Sequence, residues 1–478
     1  MKKIILSLLL VYSSTIGFGQ ENIFTNLPTI TYENLTIPQK ELYNKIQAQG
    51  VYSAIKFVQT GAIQTIASTG KLKITLPFLF CNNMTFTVSD IRYTNANNFY
   101  WVGKAINTND TNCATGNFTL MKNNGKFIGH LSLEDKSYEL FDLTGGIQVI
   151  CTTILAGIGK DCATASTQAI TTTACQAPGN CTDNKTKVLV LYTPAAAAIE
   201  SDMNGRAALA INQLNQNWLN SGINNAVSLA SVQPLSFTET VNYSNDIDNL
   251  ALNSSAQFLR NLYMAEIVVL LTDGNYNGIA GIVKTVDASC TEAFAIVELK
   301  YSTTARYTFA HEVSHLFGAR HDDTPVITNA KGYNFKTGTG IFGWGGKNRA
   351  TLMSTGNGSA LTPTNGVRIE HTSNPSVNYL GVATGDATHD NATKVSSNIN
   401  KIADFYQDPI PNSTFCNLNR IGSTCLTGQA SQFYCSVIYC TNVIGYTYTW
   451  FISPDAFTWT QKAVNVIYLL RLPIGIIM

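Results

Sequence analysis

Three of the six histidines of this 478-residue chain lie in one short window, Thr308–Asp323, and their spacing constrains the fold more than any other feature. His311 and His315 are four residues apart, so on a helix their side chains share one face, one turn apart. Two imidazole nitrogens on one face can bind one metal ion at about 2.0–2.1 Å, the usual zinc–nitrogen distance. The window therefore predicts a helix that carries two zinc ligands.

The other residues of the window complete a catalytic rather than a structural metal site. Glu312 follows the first histidine and lies about 100° round the helix. This position suits a base for a metal-activated water and not a ligand. Gly318 can adopt a positive φ and end the helix, which lets His321 return as the third ligand. Three protein ligands leave the fourth tetrahedral position open, as in catalytic zinc sites.

The pattern H-E-x-x-H-x-x-G-x-x-H over residues 311–321 resembles that of the metzincin zinc endopeptidases. A bare H-E-x-x-H also occurs by chance on polar helices, and the extension makes the match specific. Asp322, directly after the third histidine, is similar to the adamalysin/reprolysin branch. Met353 resembles the methionine of a Met-turn. Thr355 stands where astacins and serralysins have a tyrosine ligand, so no such ligand is expected.

The resemblance implies an α/β catalytic domain with a twisted mixed sheet, a zinc helix and an irregular lower subdomain, in which Met353 packs beneath the zinc site and is not a ligand. It also implies a secreted zinc metalloendopeptidase of the bacterial reprolysin-like type, acting on protein or peptide substrates. Zinc held by His311, His315 and His321 would activate a water, and Glu312 would act as general base.

Composition and hydrophobic pattern divide the chain into modules. Residues 20–185 alternate like strands and predict a β-rich domain, in the place where secreted metzincins carry a propeptide that keeps the zinc site silent. Residues 186–408 have a β-α-β-α-β order, with buried strands predicted at Val188–Tyr192 and Glu266–Thr272, and form the predicted catalytic domain. Residues 413–478 resemble the opening strands of an Ig-like or PKD-like module, and at about 65 residues this module is expected to be incomplete.

Residues 1–19 predict a signal peptide. Lys2 and Lys3 precede an apolar run, and Gly17 and Gly19 occupy the −3 and −1 positions of the expected cleavage site. A transmembrane anchor is the competing interpretation, but the apolar run is too short for one, and no other run of about 20 apolar residues occurs. The chain is therefore expected to be secreted or attached to the cell surface.

The balance of charge excludes some partners. The formal net charge is +1 and only 13% of the residues are charged, so no basic field attracts nucleic acid or an anionic membrane. We expect no nucleic-acid partner, no membrane span and a monomeric protein. A calcium ion is a further candidate cofactor, because the oxygens of Asp386, Asp390 and Asn391 are of the type that calcium prefers.

The eleven cysteines of an exported chain predict disulfide bonds, with at least one thiol left over. A thiolate on the open zinc position would be one way to silence the site. Four cysteines are candidates for it, with ordinary disulfides as the favoured alternative: Cys151, Cys162, Cys175 and Cys181. Cys290 lacks the partner of the family pattern, and it pairs with Cys175, Cys181 or Cys416 or stays a buried free thiol.

Two further segments are expected to bind substrate by resemblance to adamalysins. Gly278–Val283 is similar to the edge strand above their cleft, and an edge strand can bind an extended peptide by strand addition. A buried strand without substrate contact is the alternative. Gly356–Asn365 would shape the pocket for the side chain after the scissile bond.

A surface adhesin or binding protein with a vestigial or structural zinc site is the rival function. Glu312 argues against it, because a purely structural site needs no carboxylate there. A zinc-dependent hydrolase of another kind is a third possibility, disfavoured because an edge strand beside the site suits peptides.

Overall fold

The structure is a computed structural model. It describes residues 24–27, 29–60, 71–74, 84–95, 97–106, 116–133, 136–154, 186–338, 346–355, 366–406, 415–421, 432–438, 449–452 and 460–464. The chain divides into two compact units, one of Met1–Thr172 and Lys185–Ile402, the other of Thr173–Asn184 and Ala403–Met478. Several segments lie outside the described residues, namely the predicted signal peptide, residues 155–185 and the predicted pocket segment 356–365.

The N-terminal part of the first unit is one antiparallel sheet. Its strands are β1 (Phe24–Asn26), β2 (Tyr52–Thr60), β3 (Lys71–Ile74), β4 (Met84–Asn95), β5 (Asn98–Ile106), β6 (Gly116–Asn123), β7 (Lys126–Leu133), β8 (Lys136–Asp142) and β9 (Gln148–Thr153). They form a nine-stranded sheet in the order β1-β2-β9-β8-β7-β6-β5-β4-β3. Leu140 and Phe141 are neighbours in β8 but belong to different core clusters, because a pleated strand points successive side chains to opposite faces.

Helix α1 (Ile37–Ala48) belongs to this region and was not predicted from the sequence. Thr36 and Gln39 form a capping box at its start, in which the Thr36 N–H donates to Gln39 Oε1 at 3.0 Å, an ordinary hydrogen-bond distance. Leu35 and Ile46 lie in the core cluster that also contains Phe141. The sequence Thr-x-Pro-Gln at residues 36–39 therefore marks the start of a helix within a region that was predicted to be strand-rich.

The second sheet carries the α/β part of the first unit. Its strands are β10 (Lys187–Tyr192), β11 (Ser228–Pro234), β12 (Ile267–Thr272), β13 (Gly281–Val283) and β14 (Phe294–Glu298). The order is β11-β10-β12-β14-β13, with parallel pairing as far as β14 and antiparallel pairing of β13 to β14. The predicted mixed α/β class is confirmed for this part of the chain.

Six helices follow α1 in the described residues: α2 (Pro194–Ile199), α3 (Met203–Asn220), α4 (Tyr243–Leu252), α5 (Ser254–Leu262), α6 (Thr308–Leu316) and α7 (Asn391–Ala403). Asp202 caps α3 by accepting a hydrogen bond from the Gly205 N–H at 2.9 Å. Its periodic apolar residues, among them Ala207, Leu214 and Trp218, are buried. Among the described residues, no helix has both the length and the apolar character that crossing a membrane requires.

Small sheets follow the zinc helix, consistent with an irregular lower part. They comprise β15 (Asn334–Thr337), β16 (Lys347–Ala350) and β17 (Val367–Arg368), and the pair β18 (Asn378–Tyr379) and β19 (Val382–Ala383). The second unit contains two antiparallel pairs, β20 (Phe415–Ile421) with β21 (Gln432–Ile438), and β22 (Thr449–Ile452) with β23 (Thr460–Val464). The Ig-like module stays a prediction.

The N-terminal sheet packs on the α/β part through a buried ion-pair network. Arg206 of α3 donates from Nη1 to Glu139 Oε1 of β8 at 3.1 Å and from Nη2 to Glu200 Oε2 at 2.8 Å. The Thr303 hydroxyl, in the segment that leads into α6, also donates to Glu139. The side chains of Arg206 and Glu139 are 0% and 1% exposed. The sheet is thereby joined to the start of the zinc helix.

Two cysteines bear on the predicted disulfides and thiol switch. Cys151 is a free, buried thiol in the core of the N-terminal sheet, and burial raises its pKa well above the usual value. It is therefore neither in a disulfide nor suited to supply a thiolate. Cys290 is partly exposed and takes part in a disulfide bond, so it is not a buried free thiol. Cys162, Cys175 and Cys181 lie outside the described residues.

Candidate metal centre

Helix α6 carries the first two predicted ligands and is buried over its whole length. It begins at Thr308, directly after Tyr307, whose φ of 52° is in the left-handed region. Such a conformation is unusual for a bulky residue. The ring of Tyr307 packs edge-on against His130 of the N-terminal sheet, with centroids 5.6 Å apart. The N-terminal sheet thus contacts the residue that starts the zinc helix.

Gly318 ends the helical segment with a φ of +92°. A Cβ at this position would lie 2.5 Å from Lys394 Cε and 2.9 Å from Asn398 Nδ2, both on α7. Glycine is therefore required both for the backbone conformation and for the close approach of α7. The turn at Gly318 brings the chain back so that His321 faces the helix.

The three histidines meet at one point through their Nε2 atoms. His321 Nε2 lies 3.0 Å from His311 Nε2 and 3.0 Å from His315 Nε2. Ligands of a tetrahedral zinc ion with bonds near 2.05 Å lie about 3.3 Å apart, so these distances fit. Within the described ranges this is the one group of His, Cys, Asp or Glu side chains arranged to hold a metal ion.

Backbone carbonyls fix the orientation of two of the rings. His311 Nδ1 lies 2.9 Å from the Leu352 carbonyl oxygen, and His315 Nδ1 lies 2.7 Å from that of Ala319. A carbonyl oxygen only accepts, so each Nδ1 carries the proton and each Nε2 presents its lone pair. Converging lone pairs repel each other unless a cation lies between them, and the donor set therefore fits zinc.

Glu312 is fully buried on the same helix and lies against the edge strand β13. A Cβ on Gly281 would lie 2.7 Å from Glu312 Oε1 and 2.7 Å from its Cγ. The carboxylate is thus beside the backbone of β13 and is not one of the metal-ligating groups. An isolated glycine within an apolar strand indicates such a close approach, and this feature of the sequence was missed.

Asp322 links the third ligand to the segment after Met353. Its Oδ1 accepts hydrogen bonds from the Thr355 N–H at 2.8 Å and from the Thr355 hydroxyl at 2.9 Å. Its Oδ2 accepts one from Asn334 Nδ2 at 2.6 Å. Met353 is fully buried and does not contribute a ligand. The neighbouring Leu352 carbonyl orients His311, a role that its side chain could not reveal.

The structure does not support the expected calcium site. Asp386 Oδ1 accepts hydrogen bonds from Thr388 and, at 2.8 Å, from His389 Nδ1. Burial would raise the pKa of Asp386, but these bonds outweigh it and lower the pKa to about 2. Asp390 caps the first turn of α7, and Asn391 binds the backbone of Arg320. These oxygens therefore serve the fold itself.

Comparison with known proteins agrees with this geometry. Residues 182–363, which include all three histidines, match the family Reprolysin_5, described as Metallo-peptidase family M12. Residues 182–363 are a reprolysin-like metallopeptidase segment.

Three similar curated proteins share the name "Peptidyl-Asp metalloendopeptidase". A "Peptidyl-Asp metalloendopeptidase" of Xanthomonas campestris pv. campestris is 30% identical over 212 residues, 42% of this chain and 47% of that protein. One of Stenotrophomonas maltophilia (strain K279a) is 30% identical over 213 residues, 42% of this chain and 48% of that protein. The chain spans about half the length of these curated relatives. The predicted reprolysin-like type is confirmed for the metallopeptidase segment.

Solved structures show more distant likenesses. A "chaperone-substrate complex" has a TM-score of 0.37 at 15% identity, over 58% of this chain and 39% of that chain. The "metalloproteinase-II from Bacteroides fragilis" has a TM-score of 0.32 at 13% identity, over 55% of this chain and 85% of that chain.

Proposed function

We propose that the chain is a secreted zinc-dependent metalloendopeptidase. The observation that carries the proposal is the convergence of three Nε2 atoms, with two rings held by Nδ1–H bonds to carbonyls, beside a buried glutamate on the same helix. Zinc in such a site acts as a Lewis acid that acidifies a water and polarises the scissile carbonyl. A purely structural zinc site would need no carboxylate at this position, which disfavours the adhesin alternative.

Glu312 is the general base of the proposed reaction. It takes a proton from the attacking water and passes it to the leaving amine, so one carboxylate serves in both steps. The carbonyls of Leu352 and Ala319 keep the rings of His311 and His315 in place, which raises their basicity and prevents rotation. A site held in this way needs little reorganisation during the reaction.

Strand β13 is the proposed substrate-binding edge. It is the last strand of its sheet and pairs with β14 among the described strands. An extended peptide can add to the other edge through main-chain hydrogen bonds, while side-chain pockets select the residues. Because the curated relatives are named for peptidyl-Asp bonds, we include a preference for peptides that contain aspartate in the proposal.

Export and latency are part of the same proposal. The basic and apolar start of residues 1–19 supports export from a bacterial cell, and residues 20–185 would act as a propeptide that is removed by a cut near Lys185 or Lys187. Intact-mass measurement of the protein in the culture medium gives its mature N-terminus. A mature form that still begins within residues 1–19 would contradict the export proposal.

The decisive test replaces Glu312 by Gln. Glu312→Gln should retain zinc at wild-type stoichiometry, because the glutamate is not expected to be a ligand. Its rate of peptide cleavage should fall by about 10²- to 10⁴-fold, the usual contribution of a general base. Zinc content is measured by mass spectrometry and cleavage with matched peptides containing Asp or Asn. Asp404→Asn, which changes an exposed carboxylate just after α7 and within residues 186–408, is the control and should cleave normally.

Full activity of Glu312→Gln would refute the proposed base. A zinc-loaded wild-type protein that cleaves no peptide, before and after removal of residues 20–185, would favour the adhesin or binding function. Equal cleavage of the Asp and Asn peptides would remove the proposed substrate preference and leave the peptidase function standing.

A further inference from the structure

Gly281 is the first residue of β13 and pairs with Val297 of β14. It is buried, and its φ is not in the left-handed region, so its backbone conformation is open to any L-residue. Conformational freedom is therefore not the reason for a glycine at this position. What distinguishes it is space, because a Cβ here would meet Glu312 Cγ and Oε1 at 2.7 Å and Cδ at 2.8 Å.

The strand has little room to move away from Glu312. The Ala280 carbonyl, one residue earlier, accepts a hydrogen bond from the Glu298 N–H at 2.8 Å. Ala280 also packs with Val51 of the N-terminal region and with Tyr301. The backbone beside Gly281 is thus tied to β14 by this hydrogen bond and by the pairing of Gly281 with Val297, so the glutamate side chain is expected to shift when a Cβ is added to residue 281.

We propose that Gly281 is a positioning residue for Glu312. The missing Cβ lets the carboxylate lie directly against the edge strand, on the same helix as His311 and His315. The inference rests on the proposed function in treating Glu312 as the base. A displacement of about 1 Å in a catalytic group can cost about 100-fold in rate, so one methyl group is enough to matter.

The test compares Gly281→Ala with Gly205→Ala, both within residues 186–408. Gly205 of α3 is also buried, and a Cβ at this position would meet the side chain of Asp202, which is not part of the proposed machinery. Gly281→Ala should lower kcat by about 10- to 100-fold, with KM and zinc content nearly unchanged. Gly205→Ala should leave kcat and zinc content as they are.

A second pair of variants identifies the contact itself. Glu312→Asp shortens the side chain by one methylene and makes room for a Cβ on residue 281. Adding Gly281→Ala to Glu312→Asp should therefore cost less than about 3-fold in kcat, and the two effects should be non-additive. If Gly281→Ala alone folds poorly, the same double variant should recover the unfolding midpoint of Glu312→Asp.

The proposal is overturned if Gly281→Ala has wild-type kcat, if its loss is the same in both Glu312 backgrounds, or if the double variant unfolds as readily as Gly281→Ala. It is also overturned if Gly281→Ala loses zinc. Failure of the proposed function would be recognised separately, because the wild-type protein would then cleave no peptide, and failure of the proposed base would show as full activity of Glu312→Gln.

Discussion

The zinc site and the buried ion-pair network between the N-terminal sheet and α3 are built in opposite ways. The three clustered histidines and the proposed base Glu312 come from residues 311–321, one helix and the turn after it. In the network, Glu139 binds Arg206, 67 residues away, and Thr303, 164 residues away. One arrangement is local and the other joins distant parts of the chain.

Both arrangements bring together polar groups that need a charged partner. Burial alone would lower the pKa of Arg206, but Glu200 and Glu139 outweigh it and raise the pKa, so the guanidinium stays charged. In the candidate zinc site the partner of the converging Nε2 atoms would be a metal ion taken from solution. In the network the partner of Arg206 is partly a residue of the N-terminal sheet. The arrangement of the candidate zinc site is therefore completed by a metal ion, whereas that of the Arg206 network is completed by the N-terminal sheet.

Loss of a zinc ligand should have the largest effect on activity. His321→Ala removes the ligand that lies outside the helix, so zinc should bind far more weakly and cleavage should fall by about 10³-fold or more. Because His321 is partly exposed, the unfolding midpoint of the metal-free protein should change little. Zinc content and cleavage rate are measured on the same sample.

His389→Ala is the matched control, since His389 is also partly exposed but lies outside the metal-ligating group. It should keep both zinc and activity. A His321→Ala protein with wild-type zinc content would show that the three-histidine site is not the zinc site.

The network should dominate stability instead. Arg206→Met leaves Glu139 and Glu200 buried without their cation, and breaking a buried pair in this way typically costs about 3–5 kcal/mol in the free energy of unfolding. Equilibrium unfolding in urea measures the loss. Lys126→Met tests a partly exposed cation of the N-terminal sheet, which lies 3.4 Å from the Ser201 carbonyl oxygen, and should cost about 0–1 kcal/mol.

Equal losses for Arg206→Met and Lys126→Met would mean that the buried network is not what holds the N-terminal sheet to α3. A triple variant, Arg206→Met with Glu139→Gln and Glu200→Gln, sharpens the result. It should recover part of the loss, because no uncompensated charge remains.

The difference between the two arrangements also explains what could be predicted from the sequence. The helix Thr308–Leu316 and the clustering of the three histidines were predictable because their spacing is short and each residue of the pattern has a separate role. Glu139, Arg206 and Thr303 carry no shared pattern, since only the folded chain brings them together. The same holds for the Leu352 carbonyl, which orients His311 through its backbone.

The secondary structure follows the same division. The strands at β10 and β12 were predicted from continuous apolar runs, because both faces of a central parallel strand are covered. Helix α1 was missed because its apolar periodicity is weak, although its capping residues were visible. The proposed role of Gly281 depends on its tertiary contact with Glu312. A glycine within a strand pattern indicates only that another part of the chain comes close to its backbone, and does not identify that part.

A third contact of the N-terminal sheet should have the smallest of these effects on the free energy of unfolding, and this effect should depend on pH. Asn117 Nδ2 of β6 donates to Glu370 Oε2 at 2.6 Å. Unlike Glu139, this buried carboxyl faces an amide, and burial raises its pKa to about 8 although Asn117 and Lys104 act in the other direction. In the unfolded chain the pKa of this carboxyl is near the ordinary value of 4.5. The folded state therefore binds more protons between these values, and stability falls as the pH rises through this window.

Glu370→Gln removes this ionisation while keeping a neutral side chain of similar shape. Relative to wild type, the variant should gain about 2–4 kcal/mol in the free energy of unfolding between pH 5 and pH 8.5. Urea unfolding of both proteins at the two pH values gives the difference, in which the titration of His130 and His371 cancels because both proteins contain them. Glu41→Gln, which is exposed, should show no such gain. Parallel pH dependence of Glu370→Gln and wild type would mean that Glu370 is ionised in the folded protein. The amide of Asn117 would then serve a buried carboxylate, and the contact would resemble the charged network around Arg206.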